Sequence, residues 1–224
     1  MNKYIAEFIG TFFLVLTIGC TVVGPATGVI APLAIGAVLM VMVFTGGHIS
    51  GAHYNPAVTL GVLIRGKVKS SDVVPYIAAQ LIGAVAAALI VRGVFRAGAA
   101  VTTITPNVGP ALLAEFLFTL ALVYVVLNAA TAEGTSGNSF YGLAIGMTVM
   151  TGAFAVGDIS GGAFNPAVAV GTCVLGISTW ANIWIYLVAN FAAAVVAAII
   201  FQVINPPMQT TPIATDEPPY EKPQ

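Results

Sequence analysis

Charge is what this sequence has least of. Lys, Arg, Asp and Glu together make up 7% of 224 residues, where soluble domains carry roughly 25%. Such a chain cannot coat a water-facing surface, which excludes a soluble enzyme or binding domain. A net charge of -1 gives no electrostatic reason for nucleic acid as a partner. Two cysteines, Cys20 and Cys173, are too few for a disulfide framework and sit in apolar surroundings as small hydrophobes. Two histidines and scattered acids form no metal-ligand cluster, and no phosphate loop or nucleophile–base pair stands out. Neither metal, cofactor nor catalytic residue is expected.

Apolar residues are plentiful instead: 58% of the chain, at a mean hydropathy of +0.99. About 20 apolar residues cross the ~30 Å hydrocarbon core, and six stretches qualify, near 4–23, 30–47, 73–92, 110–130, 139–156 and 182–203. Ile18-Gly19-Cys20 after an apolar run loosely resembles a cleaved leader, but Glu7 would interrupt its core, so an uncleaved first helix fits better. Two apolar pieces, near 55–65 and 165–176, are too short to cross. Residues 205–224 hold six prolines and read as a disordered tail.

Those two short pieces belong to a repeat. Leu33–Gly61 and Leu143–Gly171 align without a gap at an offset of 110, with 15 of 29 positions identical. Asn55-Pro56-Ala57 matches Asn165-Pro166-Ala167. Asn is a good helix N-cap and Pro suits the first helical position, so each short piece starts a helix there. The Gly-rich approaches, Gly47–Gly51 and Gly157–Gly162, read as irregular backbone. At membrane depth that is tolerated only when buried in protein or lining a water-filled cavity. The sequence therefore predicts an all-α membrane protein, six spanning helices plus two re-entrant half-helices. The channel domain is 1–204, with repeat one near 3–96 and repeat two near 108–203. Three crossings per repeat invert the second relative to the first, so the half-helix N-termini meet at the midplane. Lys3, Arg65, Lys67, Lys69 and Lys222 fall on one side, against Arg92 and Arg96 on the other. That bias places both termini in the cytoplasm of a plasma (inner) membrane protein.

Other positions repeat as well: Tyr76 with Tyr186, Gln80 with Asn190 and, at an offset of 108, Glu7 with Glu115. A glutamate inside a span serves either a proton or ion relay or the unpaired N–H groups of a re-entrant loop. The second role is favoured, because neither residue has a titratable neighbour in sequence. His48 and His53 flank the first re-entrant loop and read as hydrogen-bonded packing groups rather than a pH gate. Each asparagine can accept from its own half-helix and donate its amide into the space between. The two positive helix ends repel cations, hydronium included. Backbone carbonyls of Gly51, Ala52, His53 and Tyr54, and of Gly161, Gly162, Ala163 and Phe164, supply acceptors along the path. Donors at the centre and acceptors to either side describe a conduit for small neutral solutes. A secondary transporter, which also uses inverted repeats, would need a midplane ion site beyond Glu7 and Glu115. A structural membrane protein on the same frame is the third reading.

Two Asn-Pro-Ala boxes, each after Ile-Ser-Gly, on an inverted repeat over about residues 3–203 resemble the aquaporin (major intrinsic protein) family. The resemblance implies a pore in every subunit, a homotetramer in lipid, and water with small neutral solutes as partners. It also implies a selectivity filter at Ile35, Ala153, Gly162 and Val168. Where most of the family has Arg after the second box this chain has Val168, and Ala169 replaces the Asp usual in glycerol facilitators. The small apolar quartet is similar to that of plant vacuolar-type members. A pore of that kind is expected to pass water, ammonia, hydrogen peroxide, urea and, at the large end, glycerol. The alternative is a water-only pore whose gap is refilled by neighbouring side chains or by loop 97–109.

Overall fold

The computed structural model describes residues 1–24 and 30–206; the proline-rich tail beyond 206, with Lys222, lies outside the described residues. Eight α-helices follow in order: α1 (Asn2–Val22), α2 (Ile30–Ser50), α3 (Pro56–Ile64), α4 (Ser70–Ile90), α5 (Val108–Thr131), α6 (Tyr141–Ser160), α7 (Pro166–Leu175) and α8 (Ile183–Ile204). Six of them are long and apolar enough to cross a membrane, α4 being extended by a π-helical turn, Val91–Phe95. The nine residues of α3 and ten of α7 reach only about 15 Å at 1.5 Å rise.

In one respect the helices differ from expectation. Gly47 and Gly157 lie inside α2 and α6, which continue to Ser50 and Ser160. The irregular backbone is confined to residues 51–54 and 161–164. The reason is energetic: a glycine inside a helix costs about 1 kcal/mol, whereas an unsatisfied backbone group in hydrocarbon costs several. Helix therefore persists until the chain must turn.

Packing repeats the duplication. Helix α1 lies along α4, and α5 along α8 in the equivalent way, while α2 meets α6 across the approximate two-fold. Small residues allow these approaches. A Cβ at Gly83 would fall 2.6 Å from the carbonyl oxygen of Phe8, and one at Gly146 2.5 Å from that of Gly36. Association in lipid depends on such close contact because lipid tails are as apolar as the side chains. Each half-helix rests chiefly on the last helix of the other repeat, α3 on α8 and α7 on α4. The repeats thus interlock at the level of the short helices. Val74, Ile82, Leu117, Val188 and Val203 point outward, as a lipid-facing wall requires.

The face where α1 begins and α8 ends is called basal here, and the face carrying loop 97–107 distal. Lys3 and Asp72 pair on the basal face, where the Tyr4 hydroxyl also donates to Asp72 Oδ1 at 2.8 Å.

Candidate functional site

Both long helices that feed the half-helices end the same way. Ala52, Tyr54 and Phe164 hold φ values of 51°, 51° and 49°, and Gly51, Gly161 and Gly162 are also left-handed. Left-handed backbone at a residue with a Cβ is strained by roughly 1–3 kcal/mol, so something must hold these arms in place. Glu7 and Glu115, both fully buried, do so. Glu7 Oε1 accepts from Ser50 Oγ at 2.6 Å and His53 N at 2.9 Å, and Oε2 from Tyr54 N at 2.6 Å and Gln80 Nε2 at 2.8 Å. Glu115 Oε1 accepts from Ser160 Oγ at 2.8 Å and Ala163 N at 2.9 Å, and Oε2 from Phe164 N at 2.7 Å and Asn190 Nδ2 at 3.1 Å. Each carboxylate thus takes donors from the arm and from the last helix of its repeat. Tyr76 and Tyr186 complete the frame by donating to the carbonyls of Ser50 and Ser160 at 2.8 and 2.6 Å.

Asn55 caps α3 and Asn165 caps α7. Asn55 Oδ1 accepts from Ala57 N at 2.8 Å, and Asn165 Oδ1 from Ala167 N at 2.9 Å. Pro56 and Pro166 follow at the first helical position. Between the two half-helices the asparagines exchange partners. Asn55 Nδ2 donates to the carbonyl of Phe164 at 2.9 Å, and Asn165 Nδ2 to that of Tyr54 at 2.8 Å. One N–H of each carboxamide remains, and both asparagines line the same cavity of about 230 Å³.

That cavity gathers most of the expected positions. Ile35, Ala153, Gly162 and Val168 all line it, together with Ala52, His53, Tyr54, Gly161 and Ala163. The carbonyls of Tyr54 and Phe164, expected as acceptors along the path, each accept one hydrogen bond from the opposite repeat's asparagine, which leaves one lone pair apiece. Phe164 is also packed away, 1% exposed with its ring against Phe118. Gly51 lines a second cavity, about 760 Å³ on the basal side, with Gly47, Lys67 and Tyr141; Ile145 borders both.

The histidines part company. His48 is exposed in the last turn of α2, without the packing role expected of it. His53 is buried, its Nδ1 3.1 Å from Thr59 Oγ1. Thr59 spends its one proton on the Asn55 carbonyl at 3.0 Å and also accepts from Gln80 Nε2 at 3.1 Å. Nδ1 is therefore the donor in that contact.

Sequence reasoning gave no role to Ser50, Ser160, Tyr76, Tyr186, Gln80 or Asn190, although the repeat had already paired the tyrosines and the amides. Asn190 binds Glu115 and, at 2.9 Å, Thr119 Oγ1. Ile104 and Ile177 also border the central cavity; loop 97–109 was a candidate to refill the filter gap, but nothing singled out Ile104 within it, and nothing pointed to Ile177. Among the described residues no cluster of His, Cys, Asp and Glu could hold a metal.

The model of the major intrinsic protein family matches residues 1–201. The chain is 36% identical over 200 residues to the probable aquaporin NIP4-2 of Arabidopsis thaliana, covering 85% of this chain and 70% of that one. It is also 36% identical over 214 residues to glycerol uptake facilitator protein-like 6 of Lactiplantibacillus plantarum, covering 92% and 99%. The solved aquaglyceroporin of Plasmodium falciparum shares the fold at a TM-score of 0.77 and 23% identity, over 92% of this chain and 97% of that one.

Proposed function

The chain belongs to the major intrinsic protein family, a family of membrane channels and not of enzymes, and on that premise we propose that it passes water and small neutral solutes: ammonia, hydrogen peroxide, urea and glycerol. The observation that carries the broad range is the composition of the distal constriction. Ile35, Ala153, Gly162 and Val168 border the cavity and bring neither a charge nor a side-chain hydrogen-bond donor. Pore diameter and the donors lining it set selectivity in such channels. Val168 in place of a guanidinium widens the passage and removes fixed donors. The similarity to a protein named as a glycerol uptake facilitator supports including glycerol, although Ala169 departs from the facilitator pattern.

Ions are excluded at the centre. Two helix N-termini each contribute about half a positive charge. The remaining N–H of Asn55 and of Asn165 donates to a solute oxygen, with the Glu7 and Glu115 cradles holding both arms rigid. Carbonyls of Gly51, Ala52, His53, Gly161, Gly162 and Ala163 serve as acceptors on either side. A cation, hydronium included, meets donors and positive ends where it needs lone pairs.

The assembly is a homotetramer in the plasma membrane, with basal face and termini cytoplasmic. The excess of Lys3, Arg65, Lys67 and Lys69 over Arg92 and Arg96 supports that orientation. Light scattering from proteoliposomes tests the solute range. Urea, peroxide and glycerol fluxes should exceed the lipid background while ionic conductance does not; solute fluxes at background with water flux intact leave a water-only pore.

A further inference from the structure

We propose that Ile104, on the loop joining α4 to α5, is a specificity-determining side chain of the distal constriction, filling part of the space that Val168 leaves open. The proposal rests on the channel reading above and names a residue outside the four filter positions.

The loop is pinned rather than draped. Arg92 Nη1 donates to the carbonyl of Ala99 at 3.0 Å. Further along, Ile104 N donates to the carbonyl of Ile177 at 2.8 Å, and Thr103 Oγ1 to that of Gly176 at 2.9 Å. The last two bonds tie the loop to the turn that closes α7, the half-helix bearing Val168. Ile104 is half-buried between exposed Thr103 and Thr105. Its side chain borders the cavity that Val168, Gly162 and Asn165 also line. It reaches the arm of repeat two itself, for a Cβ placed on Gly161 would lie 3.2 Å from Ile104 Cδ1.

A branched side chain held by its own backbone N–H has few ways to move aside. It narrows the passage without offering a hydrogen bond, so a polyol passing it must shed water with nothing in return. Small solutes such as water and ammonia clear it easily; glycerol and larger polyols feel both its volume and its lack of polarity. Solute size at the distal mouth is then set jointly by Val168 on α7 and Ile104 on the loop.

Proteoliposome swelling with water, urea, glycerol and erythritol tests this on Ile104→Ala, Ile104→Val and Ile104→Phe, with exposed Thr102→Ala as a control on the same loop. Ile104→Ala should raise the erythritol-to-water flux ratio by about tenfold, and Ile104→Phe should lower the glycerol-to-water ratio comparably, the scale on which one side-chain step discriminates in an apolar pocket. Ile104→Val, too mild to disturb folding, should move the ratio the same way by a smaller factor, and Thr102→Ala should leave it unchanged. Ratios at the wild-type value in all three Ile104 variants, with water flux retained, overturn the proposal while the channel reading stands. A wild type confined to water whose Ile104→Ala variant admits glycerol sinks the broad range and supports Ile104. Silence in wild type and variants alike ends both.

Discussion

The two cradles are nearly superimposable in chemistry and differ on the side that faces the passage. Glu7 and Glu115 take the same four kinds of donor: a serine hydroxyl, two consecutive arm N–H groups and a carboxamide. The amides differ by one methylene. Gln80 reaches Thr59 on half-helix α3, whereas Asn190 reaches Thr119 on α5, one turn beyond Glu115 itself. Repeat one keeps a polar pair, His53 and Thr59, where the 110-residue offset puts Ala163 and Ala169 in repeat two. Backbone that must turn inside a membrane tolerates one solution to its N–H groups and repeats it. The lining side chains carry no such obligation, and there the repeats have diverged.

The comparison breaks most visibly at the carboxylates. Glu7→Ala and Glu115→Ala each strand two arm N–H groups that no other acceptor reaches, at about 1–3 kcal/mol per group. Both variants should lose most folded protein, by equal amounts, on thermal unfolding in detergent. One clearly milder than the other shows that the cradles are not equivalent. At the distal mouth, Val168→Arg restores charge and bulk to repeat two alone; urea and glycerol fluxes should fall about tenfold or more with water flux largely kept, read by stopped-flow scattering. Among the amides, Gln80→Ala should destabilise more than Asn190→Ala. Each amide gives up two buried bonds worth about 1 kcal/mol apiece, but those of Gln80 join α4 to two helices, α1 and α3, whereas both of Asn190's go to α5. Equal melting shifts for the pair contradict this. Smallest of all, His53→Ala makes repeat one resemble repeat two. It gives up the Thr59 contact for about 1 kcal/mol and should leave water flux within about twofold, since the asparagine donors and the positive helix ends it faces are untouched.

Much of this was legible in the letters. Six spans, two helices too short to cross, their Asn-Pro starts and the pairing of Glu7 with Glu115 all follow from composition, length and repetition. Other features were hidden because they depend on what the second half of the chain brings to the first. That Tyr54 O is bonded to Asn165, and Phe164 O to Asn55, belongs to neither repeat alone. The left-handed backbone at Ala52, Tyr54 and Phe164 contradicts the preference of each residue; the N–H groups of Tyr54 and Phe164 are held by a glutamate more than forty positions away, and that of Ala52 by Ser50 Oγ. Ile104 sits in a loop without periodicity, so no pattern could aim it.

By itself, the sequence determined the medium and the plan. A chain this poor in charge has to live in lipid, and in lipid backbone groups must be paired, which leaves helices and buried turns as the options. Tertiary structure alone decided what stands in the gap between the repeats: which asparagine N–H is already spent, which carbonyls accept it, and which loop side chain borders the cavity that Val168 lines. Those outcomes turn on distances between residues far apart in the chain, and such distances exist only once the two halves have closed on each other.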